Sequence, residues 1–234
     1  MKKGNFSFLL VLILSLVFIQ TADAQHKSHK KKYQNRFNAG AVVGTNLSQI
    51  DGDLYTGFNK IGLRVGMEGT IYLNKRLDAV VGLLYVQKGS KTDSNITFAS
   101  DVPPDTEIHL DYMEVPFLLS VKFGNKNKET HAYTLEAGFS YARLINSKIT
   151  FKEFPDKVNY SDLADQLNSN EFNAVMGINF LFTKRLDIGF LFEVQLNKLY
   201  QLEGDILQAA NSKPPQVTFM RNYLIGIQAG YRFL

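Results

Sequence analysis

The sequence predicts an all-β protein: an eight-stranded antiparallel up-and-down transmembrane β-barrel with short periplasmic turns and long extracellular loops. Three observations predict it. Segments in which apolar residues alternate with polar or small ones recur along the chain, which is the period of a strand. The connections between these segments are alternately short and long. The last segment, FMRNYLIGIQAGYRFL, places aromatic residues on one face and glycine or polar residues on the other, as a strand between lipid and a filled lumen requires.

Residues 1–24 are predicted to be a secretory signal peptide. Two lysines at the start are followed by the apolar run 6–19 and by the small-x-small sequence Ala22-Asp23-Ala24, after which cleavage is expected. The alternative, a transmembrane anchor, requires a longer apolar run. The chain has no cysteine, which excludes disulfides, Cys-based zinc sites and attachment of lipid through an N-terminal Cys.

Residues 25–36 form a predicted basic periplasmic tail, rich in Lys and His and ending at Arg36. The tail accounts for much of the formal net charge of +4 and the pI near 9.0, whereas the predicted barrel, 37–234, is close to neutral. A basic run can meet anionic lipid headgroups, but its usual state is a solvated terminus. No other feature favours binding to nucleic acid, so no nucleic-acid partner is expected.

The first four strands are predicted at the start of the barrel, and the second is the clearest. Its odd-numbered positions are mostly apolar, and its even-numbered positions include Arg64 and Glu68. Because lipid cannot accept these charges, both side chains are expected to point inward. The third segment is apolar on both faces, so its inward face is not predicted. The four segments are 37–46, 60–73, 76–88 and 107–123.

The fourth segment changes phase midway. Its apolar residues occupy even positions up to Tyr112 and odd positions from Met113 onward, and Pro116 falls inside it. One extra residue in a strand reverses every later side chain. The pattern therefore predicts a β-bulge near Tyr112 to Glu114.

The remaining four strands alternate regularly, at 133–141, 172–182, 186–197 and 219–233. Ten residues at about 3.3 Å each, tilted by about 40°, rise roughly 25 Å, which matches the apolar band of an outer-membrane barrel. An even strand count places both termini in the periplasm. The short connections are 74–75, 124–129 and 183–185, and the long ones are 47–59, 89–106, 146–171 and 198–217.

Two other classes compete with this prediction. A helical membrane protein is excluded because no stretch of 18 apolar residues exists in the predicted barrel. A soluble lipocalin-like barrel or a β-sandwich would bury the apolar face and expose the other to water. Here the apolar face carries bulky aromatics, and the opposite face mixes glycine with charges of both signs. This combination suits a packed lumen and favours the membrane barrel.

The chain resembles the PorT-like outer-membrane β-barrel family, also described as a porin family or outer membrane protein β-barrel domain. The resemblance rests on GTNLSQIDGD, GFNKIGLRVG, LLYVQKGSK, YMEVPFLLSVKF and the closing GIQAGYRFL, and it covers nearly the whole predicted barrel. It implies an outer-membrane location. It implies no particular activity, because most members have none assigned. The member that gives the family its name is linked to a type IX secretion apparatus.

Charged residues on the predicted inward faces form the main candidate functional feature. An eight-stranded barrel has an interior only wide enough for side chains to fill. These charges are therefore expected to pair and close the lumen, because unpaired charges are costly there. The alternative is a narrow polar path for small solutes or protons. The predicted lumen charge network comprises Arg64, Glu68, Glu114, Lys122, Glu136, Glu193 and Arg232.

One group of side chains is a candidate for a metal site or for catalysis. Glu107, His109 and Asp111 stand at alternate positions of the fourth strand, so they share one face and could begin a metal site or a general base. An exposed acidic rim is the commoner meaning of such a group. No catalytic motif occurs, so no catalytic residue, metal or cofactor is assigned.

The leading hypothesis is a non-enzymatic outer-membrane barrel with a closed lumen, which acts through its loops or its periplasmic face as a binding or scaffolding component. A role in secretion or envelope integrity would fit. A narrow channel is the second hypothesis, and an outer-membrane enzyme such as a protease or acyltransferase is the third. The expected partners are outer-membrane lipids and lipopolysaccharide, the barrel assembly machinery, and a protein of the secretion apparatus or envelope.

Overall fold

The structure, a computed structural model, describes residues 36–52, 57–91, 107–127, 130–150, 167–201 and 219–233. The predicted signal peptide and the basic tail up to residue 35 lie outside the described residues, as do most residues of the predicted long loops. No helix among the described residues is both long enough and apolar enough to cross a membrane.

The described residues form a closed antiparallel β-barrel. Each long strand pairs with the next along the chain, and the last strand pairs with both β7 and β1, which closes the wall. The predicted eight-stranded barrel is confirmed. The strands are β1 (Phe37–Asp51), β2 (Lys60–Tyr72), β3 (Leu77–Lys91), β4 (Glu107–Asn127), β5 (Thr130–Thr150), β6 (Asn170–Leu181), β7 (Leu186–Gln195), β8 (Tyr200–Gln201) and β9 (Phe219–Arg232).

Several strands differ in extent from the prediction. The two-residue strand β8 pairs only with β9, within the predicted loop 198–217. The strand β4 continues through most of the predicted turn 124–129, and β5 continues to Thr150, inside the predicted loop 146–171. The extension of β5 packs Ile149 against the apolar side chains inside the barrel. The sequence predicts a loop in this part of β5 because its composition is polar.

The two ends of the barrel are built differently. At one end, here called the short-turn end, an amide or hydroxyl side chain caps each of two tight connections. Asn74 Oδ1 accepts hydrogen bonds from the backbone N–H of Arg76 and Leu77, and Thr183 Oγ1 accepts them from Arg185 and Leu186. Such side chains stabilise turns by replacing backbone acceptors. The opposite end is the long-loop end; β1 begins and β9 ends at the short-turn end.

The two faces of the wall are chemically distinct. Phe139, for example, is 64% exposed on the outside, while its neighbour Ser140 is buried in the lumen. Large apolar side chains are exposed on all eight wall strands. An apolar outer surface that alternates with a polar or glycine-rich inner surface is the arrangement of a transmembrane barrel.

The structure settles the phase of β3 and corrects that of β4. The even-numbered residues of β3, from Asp78 to Ser90, face inward. In β4 the even positions from Ile108 to Lys122 also face inward, so the predicted reversal within this strand is wrong. The register shift between Asp111 and Tyr112 comes instead from an extra residue, Ile145, on the neighbouring strand β5. The sequence of β4 changes phase because its inward residues are apolar near the long-loop end.

Candidate functional site in the lumen

The lumen contains a group of charged side chains that meet across the barrel. Three carboxylates and two cations are fully or almost fully buried, at relative exposures of 0 to 2%. They project from inward positions of five different strands. We call this group the buried charge cluster; it comprises Arg64 (β2), Lys88 (β3), Glu114 (β4), Glu171 (β6) and Glu193 (β7).

Lys88 lies at the centre of the buried charge cluster. Its Nζ is 2.6 Å from Glu171 Oε1 and 3.2 Å from Glu114 Oε2, and it also donates a hydrogen bond to Glu193. The Tyr112 ring supplies a further contact, with its centroid 5.2 Å from the same nitrogen. One ammonium group therefore engages three carboxylates and an aromatic face.

Arg64 completes the cluster from β2. Its guanidinium lies 3.1 Å from Glu114 Oε1 and 3.5 Å from Glu193 Oε2. A neutral group orients the third carboxylate, because Asn222 Nδ2 donates to Glu171 Oε2 at 2.7 Å. Buried ions are tolerated only when such partners compensate for lost hydration, and removing one partner is strongly destabilising.

Apolar layers lie on both sides of the buried charge cluster. On the short-turn side, Leu84 and Val86 precede Lys88 along β3, and Leu191 precedes Glu193 along β7; they pack with Val42 and Leu224. On the long-loop side, a larger apolar cluster fills the barrel. It comprises Ile50, Ile108, Leu110, Tyr112, Ala142, Leu167, Leu199 and Met220, with Leu144 and Ile149 packed against it.

A polar cavity of about 320 Å³ occupies the short-turn half of the lumen. Two ion pairs stand in its wall: Arg232 with Asp187 at 3.2 Å, and Lys122 with Asp78 at 2.7 Å. Glu68 and Glu136 also line it. The inward charges therefore form two groups, a buried cluster and a cavity lining, separated by the apolar layer.

The structure distributes the predicted lumen residues over these two groups. Arg64, Glu114 and Glu193 meet in the buried charge cluster. The cavity receives the other four: Glu68, Lys122, Glu136 and Arg232.

Sequence reasoning missed two members of the buried charge cluster, Lys88 and Glu171. Lys88 ends the segment whose phase the sequence left open, and Glu171 immediately precedes the predicted start of the sixth strand. Each keeps the inward alternation of its strand. Extending the period-2 pattern by one residue would have included Glu171, whereas Lys88 required the phase of β3, which its pairing with β4 fixes.

The candidate metal residues of β4 lie apart from the buried charge cluster. Glu107 is engaged by Lys60, whose Nζ lies 2.5 Å from its Oε1. His109 Nε2 lies 2.9 Å from Asp111 Oδ1. Among the described residues, no three His, Asp or Glu side chains are grouped closely enough to share a metal ion. The three predicted residues therefore do not form one site.

The fold and the two faces of its wall define a small transmembrane β-barrel of the outer membrane. The chain belongs to the outer membrane protein beta-barrel domain family, whose model matches residues 23–201. The outer-membrane location follows from this membership.

Solved structures of similar fold include three outer-membrane proteins. Ail, the attachment invasion locus protein of Yersinia pestis, has 14% sequence identity and a TM-score of 0.43, over 84% of this chain and 98% of that chain. Neisserial surface protein A has 10% identity and a TM-score of 0.41, over 84% and 97%. OprG of Pseudomonas aeruginosa has 9% identity and a TM-score of 0.37, over 84% and 94%. No curated protein matches the chain.

Proposed function

We propose that this protein is a non-enzymatic outer-membrane barrel that conducts no ions and acts as a binding or scaffolding component through its loops or its short-turn face. One observation carries the proposal: the buried charge cluster crosses the lumen between two apolar layers. An ion that entered from the short-turn cavity would meet Leu84, Val86 and Leu191 before it reached the cluster. It would then have to displace the ion-paired side chains of the buried charge cluster.

The size of the barrel supports this proposal. Eight strands leave an interior that side chains can fill. Here the side chains at the centre are large, and Tyr112, Lys88 and Leu84 are among the largest fully buried ones. A partner would therefore bind at an end of the barrel.

Planar-bilayer recording on the refolded protein tests the closed lumen. The wild type should show no steady conductance. A variant that removes the centre of the cluster, Lys88→Ala with Glu193→Ala, should admit water and show brief openings. Lys91→Ala, at an exposed lysine of the same strand, should stay silent. A stable, ion-selective current from the wild type would contradict the proposal.

A narrow channel is the second candidate, and the polar cavity favours it. The cavity shows that the short-turn half of the lumen has room for water. Conductance distinguishes the two candidates, because only a channel gives a steady current in the wild type.

We also propose that the short-turn end and both termini face the periplasm. Outer-membrane barrels have short periplasmic turns and longer external loops. The first strand, β1, begins at the short-turn end, and the last strand, β9, ends there. Epitope tags inserted at Asn95 and Asn168 should label on intact cells, whereas a tag at Asn127 should label only after lysis. Surface labelling at Asn127 would contradict this orientation.

The proposed partners follow from the two surfaces. Outer-membrane lipids and lipopolysaccharide would contact the apolar wall, and the barrel assembly machinery would insert it. The resemblance to PorT-like proteins supports a further partner in a secretion apparatus or the envelope. Photo-cross-linking in cells from the long loops and from the basic tail, followed by identification of the captured protein, tests this. Capture of lipopolysaccharide alone would count against a protein partner.

A further inference from the structure

The buried charge cluster contains more acidic than basic side chains. Glu114, Glu171 and Glu193 supply three carboxyl groups, whereas Arg64 and Lys88 supply two cations, and each of these side chains is at most 3% exposed. With three negative and two positive charges, a fully ionised cluster would carry a net charge of −1. A buried charge without compensation is costly, and a buried acid becomes neutral by holding its proton. A proton on one carboxyl group would make the cluster neutral.

The described part of the lumen offers no excess of positive charge to balance the cluster. The lining of the short-turn cavity contains four acidic and three basic side chains. On the long-loop side, Lys60 is engaged by Glu107, and Tyr112 presents its uncharged ring to the cluster. The described inward residues of β1 include no charged side chain, and those of β5 and β9 add only Glu136 and Arg232, which belong to the cavity lining. The cluster must therefore be neutralised from within.

Two buried carboxyl oxygens of the cluster have no hydrogen-bond donor. Both oxygens of Glu171 accept hydrogen bonds, one from Lys88 at 2.6 Å and one from Asn222 at 2.7 Å. Glu114 and Glu193 each accept a hydrogen bond at Oε1, but the Oε2 atom of each has no partner among the described residues. The two carboxyl groups lie within hydrogen-bonding reach of each other. Ionised carboxylates can only accept, so a proton between the two groups would give both oxygens a partner.

We propose that the buried charge cluster binds one proton, which Glu114 and Glu193 share. The proton resides on Glu193, whose Oε2 lies 3.5 Å from the Arg64 guanidinium, because Glu114 Oε2 is closer to a cation, at 3.2 Å from Lys88 Nζ. The hydroxyl of the Glu193 carboxyl group then donates to Glu114. One proton thus removes the net charge and satisfies both unpartnered oxygens.

The proposal rests on the closed lumen proposed above, because a dry centre makes the uncompensated charge costly. It also couples folding to pH. A glutamate of the unfolded chain is ionised at neutral pH, whereas Glu193 of the folded barrel retains its proton. Folding therefore takes up a proton, and the equilibrium constant for folding should decrease as the pH rises, by up to tenfold per pH unit from this group.

Infrared spectroscopy of the refolded barrel detects the proton directly. At neutral pH the wild type should show the carbonyl stretching band of a protonated carboxyl group. Glu193→Gln should remain folded and lose this band, because its amide group donates to Glu114 in place of the hydroxyl. Glu107→Gln is the matched control, since Glu107 lies outside the cluster and is engaged by Lys60. This variant should keep the band.

Urea titration at several pH values gives a second readout. Between pH values of about 6 and 8, the folding constant of the wild type should decrease by up to tenfold per pH unit relative to that of Glu193→Gln. Glu107→Gln should have the same slope as the wild type. A purely structural role of Glu193 would not change this slope.

Three results would overturn the proposal. They are a wild type without the infrared band, equal pH slopes for the wild type and Glu193→Gln, and a Glu193→Gln chain without heat-modifiable gel mobility. Bilayer recording separates this proposal from the closed lumen. A silent barrel without the band would overturn the bound proton and leave the closed lumen standing, whereas a steadily conducting barrel with the band would do the reverse.

Discussion

Lys88 Nζ lies 2.6 Å from Glu171 Oε1, and the two residues come from β3 and β6, which are not neighbours in the barrel wall. Both side chains are almost fully buried, and 83 residues of sequence separate them. Every backbone ladder bond of the wall joins adjacent strands. The contact between Lys88 and Glu171 ties the barrel together across its lumen.

Replacing the central lysine should destabilise the barrel severely. Lys88→Met would leave three buried carboxylates with Arg64 as the one remaining cation of the cluster, and breaking a buried ion pair costs about 3–5 kcal/mol. Urea titration of the refolded protein, followed by heat-modifiable gel mobility, measures the loss. Lys91→Met is the control, because Lys91 is largely exposed and a surface pair contributes about 1 kcal/mol or less. Equal unfolding midpoints for the two variants would mean that the cluster is well hydrated.

Two glycines of β2 should respond differently to alanine. A Cβ at Gly66 would lie 2.2 Å from the carbonyl oxygen of Leu83 and 2.8 Å from a methyl group of Leu84. Gly66→Ala should therefore lower the free energy of unfolding by about 1–3 kcal/mol through overpacking. A Cβ at Gly69 would meet nothing closer than 3.8 Å, so Gly69→Ala should be neutral within about 0.5 kcal/mol. If Gly66→Ala left the free energy of unfolding unchanged, β2 and β3 could move apart at this position at little cost.

Deleting the extra residue of β5 should be tolerated. Without Ile145, Asn146 would follow Leu144 directly, and their pairings with Asp111 and Tyr112 would form a regular ladder. The inward residues beyond the bulge would keep their face. Deleting Phe139, which lies within regular pairing, would instead turn a set of inward residues toward lipid. Heat-modifiable mobility should survive the first deletion and disappear after the second; the reverse result would contradict the assignment of the bulge.

Shortening the last strand should prevent closure. The N–H of Arg232 donates to the Arg185 carbonyl at 2.8 Å, and that of Phe233 donates to the Ala39 carbonyl at 2.9 Å. Deleting residues 232–234 removes both bonds, the first on the β7 side of β9 and the second across the seam with β1, and lipid offers no replacement for either. The folded gel band should be lost. Arg232→Ala, which removes only the ion pair with Asp187, should keep it. A folded band from the truncated chain would show that the terminal hydrogen bonds of β9 are dispensable for closure.

Local alternation was enough to predict the wall of the barrel. In β2, β6, β7 and β9 one face must meet lipid and the other must meet the lumen, so the two faces carry different residue types. Arg64, Glu68 and Glu193 could be placed inward because an unpaired charge is excluded from lipid. The inward position of each charge depends only on its neighbours in sequence.

The partners of those charges depended on the tertiary structure. Shear in the barrel brings Arg64 beside Glu193 and places Glu68 in a separate cavity, and no local pattern encodes which inward positions share a height. The same limit explains why the phase of β3 stayed open and why the predicted reversal in β4 was wrong. Where the inside of the barrel is apolar, both faces of a strand look alike in sequence, as at Leu84, or the polar face is the outer one, as at Leu110 between His109 and Asp111. Only the pairing with neighbouring strands then distinguishes inside from outside.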